Sequence, residues 1–423
     1  MARHMSGDRA QEALEPLPGQ DLDSGAAAAV PRSAPREPTL APRRRFRRLD
    51  RVVPALERLR WPVAVYLSSR VLYLLVAIAD SSLRHWTVKS ELTHWDGVWF
   101  LRLAGLGYPN HVPSHQSPLG FFPLYPLLMW VVAHALACSL ALAGLLVSGV
   151  GGLIATVLIQ RLSIAWWGEQ ASRRAVLFFC FFPGSIVFSM VYAEGVLIAL
   201  VAGSLLALER RRWLLAGVLA GFATAAGPTA LPIIVACALA ALIELRRRGW
   251  GDRSARKALI APLLAPAGIV ALGAFLWAWV GTPFGTFHAQ RVEWGEKTNP
   301  LALVTLVERL FKSIHFEPTF HVNLNYPAGL LGAVFLVTAV VLLVKTRPRV
   351  SAPALLWTLG VGLLTVTSQN VPPNPRMLIT AFPAVLVVAY RLKGRAFQWL
   401  MGVSVVLLIA MSVATYVGVT LRP

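Results

Sequence analysis

The residues best suited to chemistry are few and lie between apolar stretches. Asp96 sits in Thr93-His-Trp-Asp-Gly-Val-Trp-Phe-Leu-Arg-Leu-Ala-Gly-Leu-Gly-Tyr108, between Trp95 and Trp99, and Gly120-Phe-Phe-Pro-Leu-Tyr-Pro126 follows shortly after. Read as a helix, the segment places Trp95, Trp99 and Leu103 on one stripe, and Gly105 and Gly107 end it. An aromatic-faced helix beside a membrane span lies in the headgroup layer and holds its acid at the water boundary, a suitable place to process a lipid-linked substrate. A second reading fits the same residues: Thr93-His-Trp-Asp96 has capping-box spacing, in which the acid only satisfies backbone donors.

Glu194, Arg291 and Arg376 flank other apolar runs, and Arg70 lies inside one. A charge that deep is costly and faces a protein interior or a wet cavity. Two acids converging with arginines, aromatics and broken helices is what a site for a charged lipid headgroup requires. Each residue alone also reads as a cap, a solvated loop charge or a snorkelling side chain.

The elements that must position these residues are membrane spans. The chain has 423 residues, 56% hydrophobic and 14% charged, with a mean hydropathy of +0.60. That is too little charge to cover a soluble surface, so the expected class is an all-α polytopic integral membrane protein. The net charge of +20 is largely arginine beside spans and in the N-terminal stretch, which suits orientation and anionic headgroups rather than nucleic acid. Cys138, Cys180 and Cys237 lie in apolar runs without metal or disulfide spacing and read as packing residues.

Residues 1–42, rich in Ala, Pro, Gly and charge, read as a disordered cytoplasmic tail, and 43–60 as a basic juxtamembrane segment. No cleavable signal peptide is visible there, so the first span reads as an uncleaved anchor. The transmembrane domain is expected over 61–418, with about eleven spans and the N-terminus inside. Phe121–Leu136 is short and proline-interrupted, and reads as a re-entrant or interfacial helix. Gly144, Ser148 and Gly152 give the next span a small-residue packing face, as Gly217 and Gly221 do for a later pair of short helices broken at Ala226-Gly-Pro228. Two large extracytoplasmic loops follow from the charge pattern, about 80–137 and 281–326. They carry most of the histidines, His315 and His321 included, without zinc spacing. Asp96, Glu194, Arg291 and Arg376 then share the outer face.

These motifs resemble a known family. His94-Trp-Asp-Gly-Val-Trp-Phe100 with Gly107-Tyr108 is similar to the first-loop signature of the PIG-V type mannosyltransferases and their bacterial relatives, within the GT-C superfamily of polytopic glycosyltransferases. Phe121-Phe-Pro-Leu-Tyr-Pro126, Tyr192-Ala-Glu194, Gly281-Thr-Pro-Phe, His288-Ala-Gln290 to Trp294, and Pro375-Arg376 before Ala381-Phe-Pro383 resemble its later elements. The likeness covers roughly Trp61 to Tyr390. It departs at Gly227, where the family commonly has an arginine in the broken helix pair.

The resemblance implies a GT-C-like bundle and an inverting transfer of a sugar, mannose in the family, from a polyprenyl-phosphate donor to a glycolipid or glycan hydroxyl at the extracytoplasmic face. Asp96 is then the base that accepts the acceptor's proton, and Glu194 orients the acceptor or serves as a second acid–base group. A leaving phosphate needs charge neutralisation, which an arginine fork supplies; Arg376 is the first choice, then Arg70 or Arg291. His94, Trp95, Trp99, Tyr125 and Gln290 complete the substrate-binding candidates. Some relatives hold a divalent metal at the first-loop acid, but Asp96 has no acidic neighbour in sequence, so no metal or cofactor is assigned. Two rivals stand beside this reading. A transporter or flippase for a lipid-linked sugar would favour an inverted repeat and midplane charges. An inactive relative serving as an accessory protein would fit the missing arginine.

Overall fold

The computed structural model describes residues 46–85, 87–113, 115–314, 323–346, 349–416 and 421, with side chains from residue 59 onward. The expected tail over 1–42 and the loop histidines His315 and His321 lie outside the described residues. By internal contact the chain divides into Met1–Arg51 and Val52–Pro423, and the second unit holds the candidate site. Among the described residues the structure is helical, with one isolated bridge between Thr298 and Ser368.

Helix α1 (Phe46–Arg84) carries the first span, Leu59–Arg84. A short α2 (Val88–Leu92) and the amphipathic α3 (Asp96–Leu106) follow. Next come α4 (Leu124–Ala135) and the long α5 (Leu140–Trp167), which returns antiparallel to it. Tyr125 on α4 donates to Gly144 O of α5 at 2.9 Å and meets Ser148 Oγ at 2.7 Å. Helix α6 (Glu169–Phe181) continues, after a 69° bend, into the 3-10 segment Pro183–Ser189. Helix α7 (Glu194–Glu209) then runs back along α5.

The small-residue face expected on α5 is where this packing happens. A Cβ on Gly151 would lie 2.7 Å from the Gly195 backbone, and one on Gly195 2.5 Å from Ser148 O. Backbone thus meets backbone, the geometry small residues permit in a lipid environment where apolar burial gives helices no reason to associate. Tyr66 of α1 ties into the same face, donating to Gly149 O at 2.7 Å.

Helices α8 (Trp213–Thr224) and α9 (Pro232–Arg248) form the broken pair expected around Ala226-Gly-Pro228. The short α10 (Arg253–Arg256) and α11 (Ile260–Leu264) lead into α12 (Ala267–Val280), one stretch long enough to span. Helices α13 (Gly285–Val292) and α14 (Ala302–Ser313) precede α15 (Asn325–Lys345) and α16 (Ala352–Val366). The chain ends with α17 (Pro375–Thr380), α18 (Phe382–Arg391) and α19 (Gly394–Tyr416).

Each expected span coincides with a helix or helix pair, but their lengths differ from the expectation. Six described helices are long and apolar enough to cross a membrane, or seven if the bent α6 pair is one span. The remaining apolar helices, α4, α8, α16 and α18 among them, run 10–17 residues. Hydropathy records which residues avoid water; it does not record where a helix bends or stops short.

Candidate active site

The start of α3 places Asp96. Trp95 is its N-cap, with φ 58°, a backbone region that costs an L-residue about 1–3 kcal/mol and persists only where its surroundings enforce it. Two contacts are at hand to do so. The Trp95 indole donates to Thr415 O of α19 at 3.3 Å, and Gly97 approaches Val191, whose N–H donates to Leu92 O at 3.0 Å. Gly107, at φ 75°, ends the helix; Gly105 lies within it.

The capping-box reading of Asp96 does not match this geometry. The cap position belongs to Trp95, no side chain caps α3, and Thr93 Oγ1 donates backward to Lys89 O at 2.8 Å. The expected stripe also changes, because Trp95 stands outside the helix while Trp99 and Leu103 stay on it.

Asp96 is instead paired across the molecule. Arg376 Nη1 donates to Asp96 Oδ2, joining α3 to α17. Arg376 Nε lies 3.7 Å from Glu194 Oε1 at the first residue of α7. Tyr192 closes the group: its hydroxyl accepts the Asp96 backbone N–H at 3.3 Å, and the Arg376 guanidinium carbon lies 5.5 Å from its ring centroid. The Arg376 and Glu194 side chains are 14% and 15% exposed and that of Asp96 is 32% exposed, so the acid is the accessible member of the triad.

Three segments far apart in sequence therefore converge on one charged cluster, and a profile of the family "Mannosyltransferase (PIG-V)" matches residues 77–417, which contain all of them. The chain belongs to the PIG-V mannosyltransferase family. It is 36% identical over 115 residues to GPI mannosyltransferase 2 of Drosophila pseudoobscura pseudoobscura, covering 25% of this chain and 24% of that one. It is 30% identical over 113 residues to GPI mannosyltransferase 2 of Drosophila melanogaster, covering 24% of each. The matches thus span about a quarter of those relatives' length. Among solved structures, the Archaeoglobus fulgidus oligosaccharyltransferase in the apo form aligns over 83% of this chain and 55% of its own, at 14% identity and a TM-score of 0.39.

In this PIG-V family member the other candidates are placed as follows. Arg70 does not join the Asp96 cluster. Its Nη1 donates to Ser185 O at 2.6 Å and Ser189 Oγ at 3.0 Å, and its Nη2 to Cys180 O at 3.2 Å and Ser185 Oγ at 3.1 Å. It thereby braces the 3-10 segment after α6, which supports α17: a Cβ on Gly184 would lie 1.9 Å from Pro375 O. Asn374 caps α17 by accepting the Met377 N–H at 3.0 Å. Arg376 thus extends from a helix start fixed on two sides.

Trp99 stacks with Phe121 at 6.3 Å between centroids and meets Trp294 edge-on at 5.1 Å, under Arg102. His94 packs edge-on against Trp95 at 5.6 Å. Gln290 donates to Gly120 O at 2.8 Å, holding the 281–326 segment on the 80–137 segment. Tyr125 is fully buried and structural in its contacts, whereas Arg291 is exposed, with no ion-pair partner among the described residues. The 281–326 segment is also stitched to the chain before α17: Asn370 donates to Gly295 O at 2.7 Å, and Ser368 to Glu296 Oε1 at 2.6 Å. Gly227 lies beside Leu197, one turn along α7 from Glu194.

Two contributors escaped the sequence reading of the site. Tyr192 was visible only as part of the Tyr192-Ala-Glu194 motif, and Trp294 only as the end of another. Their contacts across the chain give them weight. Among the described residues no group of three or more His, Cys, Asp or Glu side chains is placed to hold a metal ion.

Proposed function

We propose that this protein transfers mannose from a polyprenyl-phosphate donor to a glycolipid or glycan hydroxyl at the extracytoplasmic face of a membrane, with inversion at the anomeric carbon. The supporting observation is the Asp96–Arg376–Glu194 triad, in which an accessible acid shares one arginine with a less exposed acid. The GPI mannosyltransferase 2 relatives make a mannosyl donor and a glycolipid acceptor the natural choice.

In the resting arrangement Arg376 occupies Oδ2 of Asp96. A donor phosphate competes for the planar guanidinium, and as Arg376 turns to it Asp96 Oδ2 is released to the acceptor hydroxyl. The acceptor hydroxyl then gives its proton to Asp96 while its oxygen bonds to the anomeric carbon. The bond from that carbon to the phosphate oxygen breaks on the opposite face, and the electron pair leaves with polyprenyl phosphate, neutralised by Arg376. Glu194 keeps Arg376 aligned throughout. Trp99, Phe121 and Trp294 supply aromatic faces beside the acid on which a sugar ring stacks.

The test uses membranes depleted of the protein and supplied with labelled polyprenyl-phosphate mannose. A labelled glycolipid or glycan should be missing and should return with the wild-type chain. An unchanged product pattern would overturn the reading.

A further inference from the structure

A second lipid-facing feature lies away from the triad. Helices α4, α5, α7 and α8 enclose a groove of about 730 Å³ whose walls are apolar, including Ile154 and Leu158 of α5, Leu200 and Gly203 of α7, and Leu219 of α8. One end closes on Arg161, Arg210 and Arg212. The groove reaches Val196, beside Glu194, at the start of α7 and Arg210 at its end, a rise of about 21 Å along the helix. The arginine end is therefore at the opposite end of α7 from the Asp96 triad.

The three arginines are exposed, and among the described residues none of them has an ion-pair partner. The nearby acids are engaged elsewhere. Glu244 binds Arg211 at 3.4 Å and Arg248 at 2.8 Å, and Glu209 accepts the Trp166 indole N–H at 2.8 Å. Three guanidiniums at the mouth of an apolar groove call for an anion attached to hydrocarbon. The groove is longer than one leaflet of a bilayer core, about 15 Å, so chains of a leaflet lipid fit along it.

We infer that this groove binds an anionic phospholipid, its phosphate on Arg161, Arg210 and Arg212 and its acyl chains along α5 and α7. The occupant is not the sugar donor, whose phosphate must reach Arg376 at the other end of α7. That exclusion of the donor rests on the proposed transferase chemistry; the lipid site itself does not. The inference places a structural lipid in the leaflet away from the triad, filling the space between the α4–α5 hairpin and α7–α8.

The experiment is native mass spectrometry of the delipidated full chain in detergent, titrated with dioleoyl phosphatidylglycerol, dioleoyl phosphatidylcholine, glycerophosphate or polyprenyl phosphate. Phosphatidylglycerol should give a discrete adduct at least ~10-fold tighter than phosphatidylcholine, and glycerophosphate none. The combined change Arg161→Gln, Arg210→Gln and Arg212→Gln should abolish that preference. Ile154→Trp, which fills the groove and keeps the arginines, should abolish the adduct itself. Should the triple variant not assemble, the lipid comparison and Ile154→Trp decide. Equal binding of the two phospholipids, an adduct that survives Ile154→Trp, glycerophosphate binding without chains, displacement by polyprenyl phosphate, or a co-purifying protein on this face would each overturn the inference.

Discussion

Asp96 carries the reaction only if its charge is used by substrate, and the structure makes that separable from a role at a helix end. Asp96→Asn keeps the shape and loses the base; turnover should fall at least ~10²-fold while donor binding and expression persist. Thr93→Ala should leave turnover near wild type, because Thr93 bonds Lys89 O and not the α3 start. Comparable small losses for both would leave the protein without a base. Arg376 is best probed as Arg376→Lys, since full removal strands two partly buried acids. The lysine keeps charge but cannot bridge Asp96, Glu194 and a phosphate, so donor KM should rise more than kcat falls. An unchanged KM would remove Arg376 from the donor site. At this scale the sequence named side chains that the fold brings together, since Asp96, Glu194 and Arg376 do meet. It could not decide between cap and site for Asp96, because the partner lies 280 residues away. Nor could it separate Arg70 from Arg376, since a deep arginine reads the same whether it binds phosphate or backbone carbonyls.

Between the residue and the fold, the segment Pro183–Ser189 decides where Arg376 points. It receives three hydrogen bonds from Arg70, its Ser185 Oγ donates to Cys180 O, and it lies directly against Pro375. Arg70→Gln should therefore lower the Tm and the activity together, with donor KM unchanged in the surviving folded fraction. A raised KM at unchanged Tm would return Arg70 to the donor site. Gly184→Ala tests the other contact: a methyl there meets Pro375 O and the backbone must move, at a cost of about 1–3 kcal/mol. That shift displaces the start of α17, so kcat should fall while the α5–α7 core still assembles; full activity with normal stability would show that this contact does not set Arg376. The small-residue faces on α5 and α8 were readable as packing surfaces, because only small side chains allow such approach. The 69° bend after α6 was not, since Phe182-Pro-Gly184 marks a break without giving its direction.

For the whole molecule, membrane solvation explains why helix positions were legible: apolar runs must pair their backbone internally, so their ends show as charge and proline. Polar groups buried by tertiary contact leave no such trace, and Glu91 is the sharpest case. It lies on α2, in Ser90-Glu91-Leu92, is 1% exposed, and among the described residues neither of its carboxylate oxygens has a hydrogen-bond partner. Burial pushes its pKa from the ordinary 4.5 up to about 7; the Asp80 carboxylate adds to this, and Arg84 partly offsets it. Because the folded chain then holds this proton more tightly than the unfolded chain, protonation favours the fold. The stability it confers is complete below pH 4.5 and is lost as pH rises through 7, by at most about 3 kcal/mol. Glu91→Gln imitates the protonated acid at every pH. The wild-type Tm, measured in detergent by intrinsic fluorescence, should therefore fall between pH 5 and pH 8, whereas the Glu91→Gln variant should hold its Tm across that range and exceed wild type at pH 8. A wild-type Tm that is flat or rises over this window would mean that Glu91 is ionised in the fold, with its charge compensated by a group that unfolding removes.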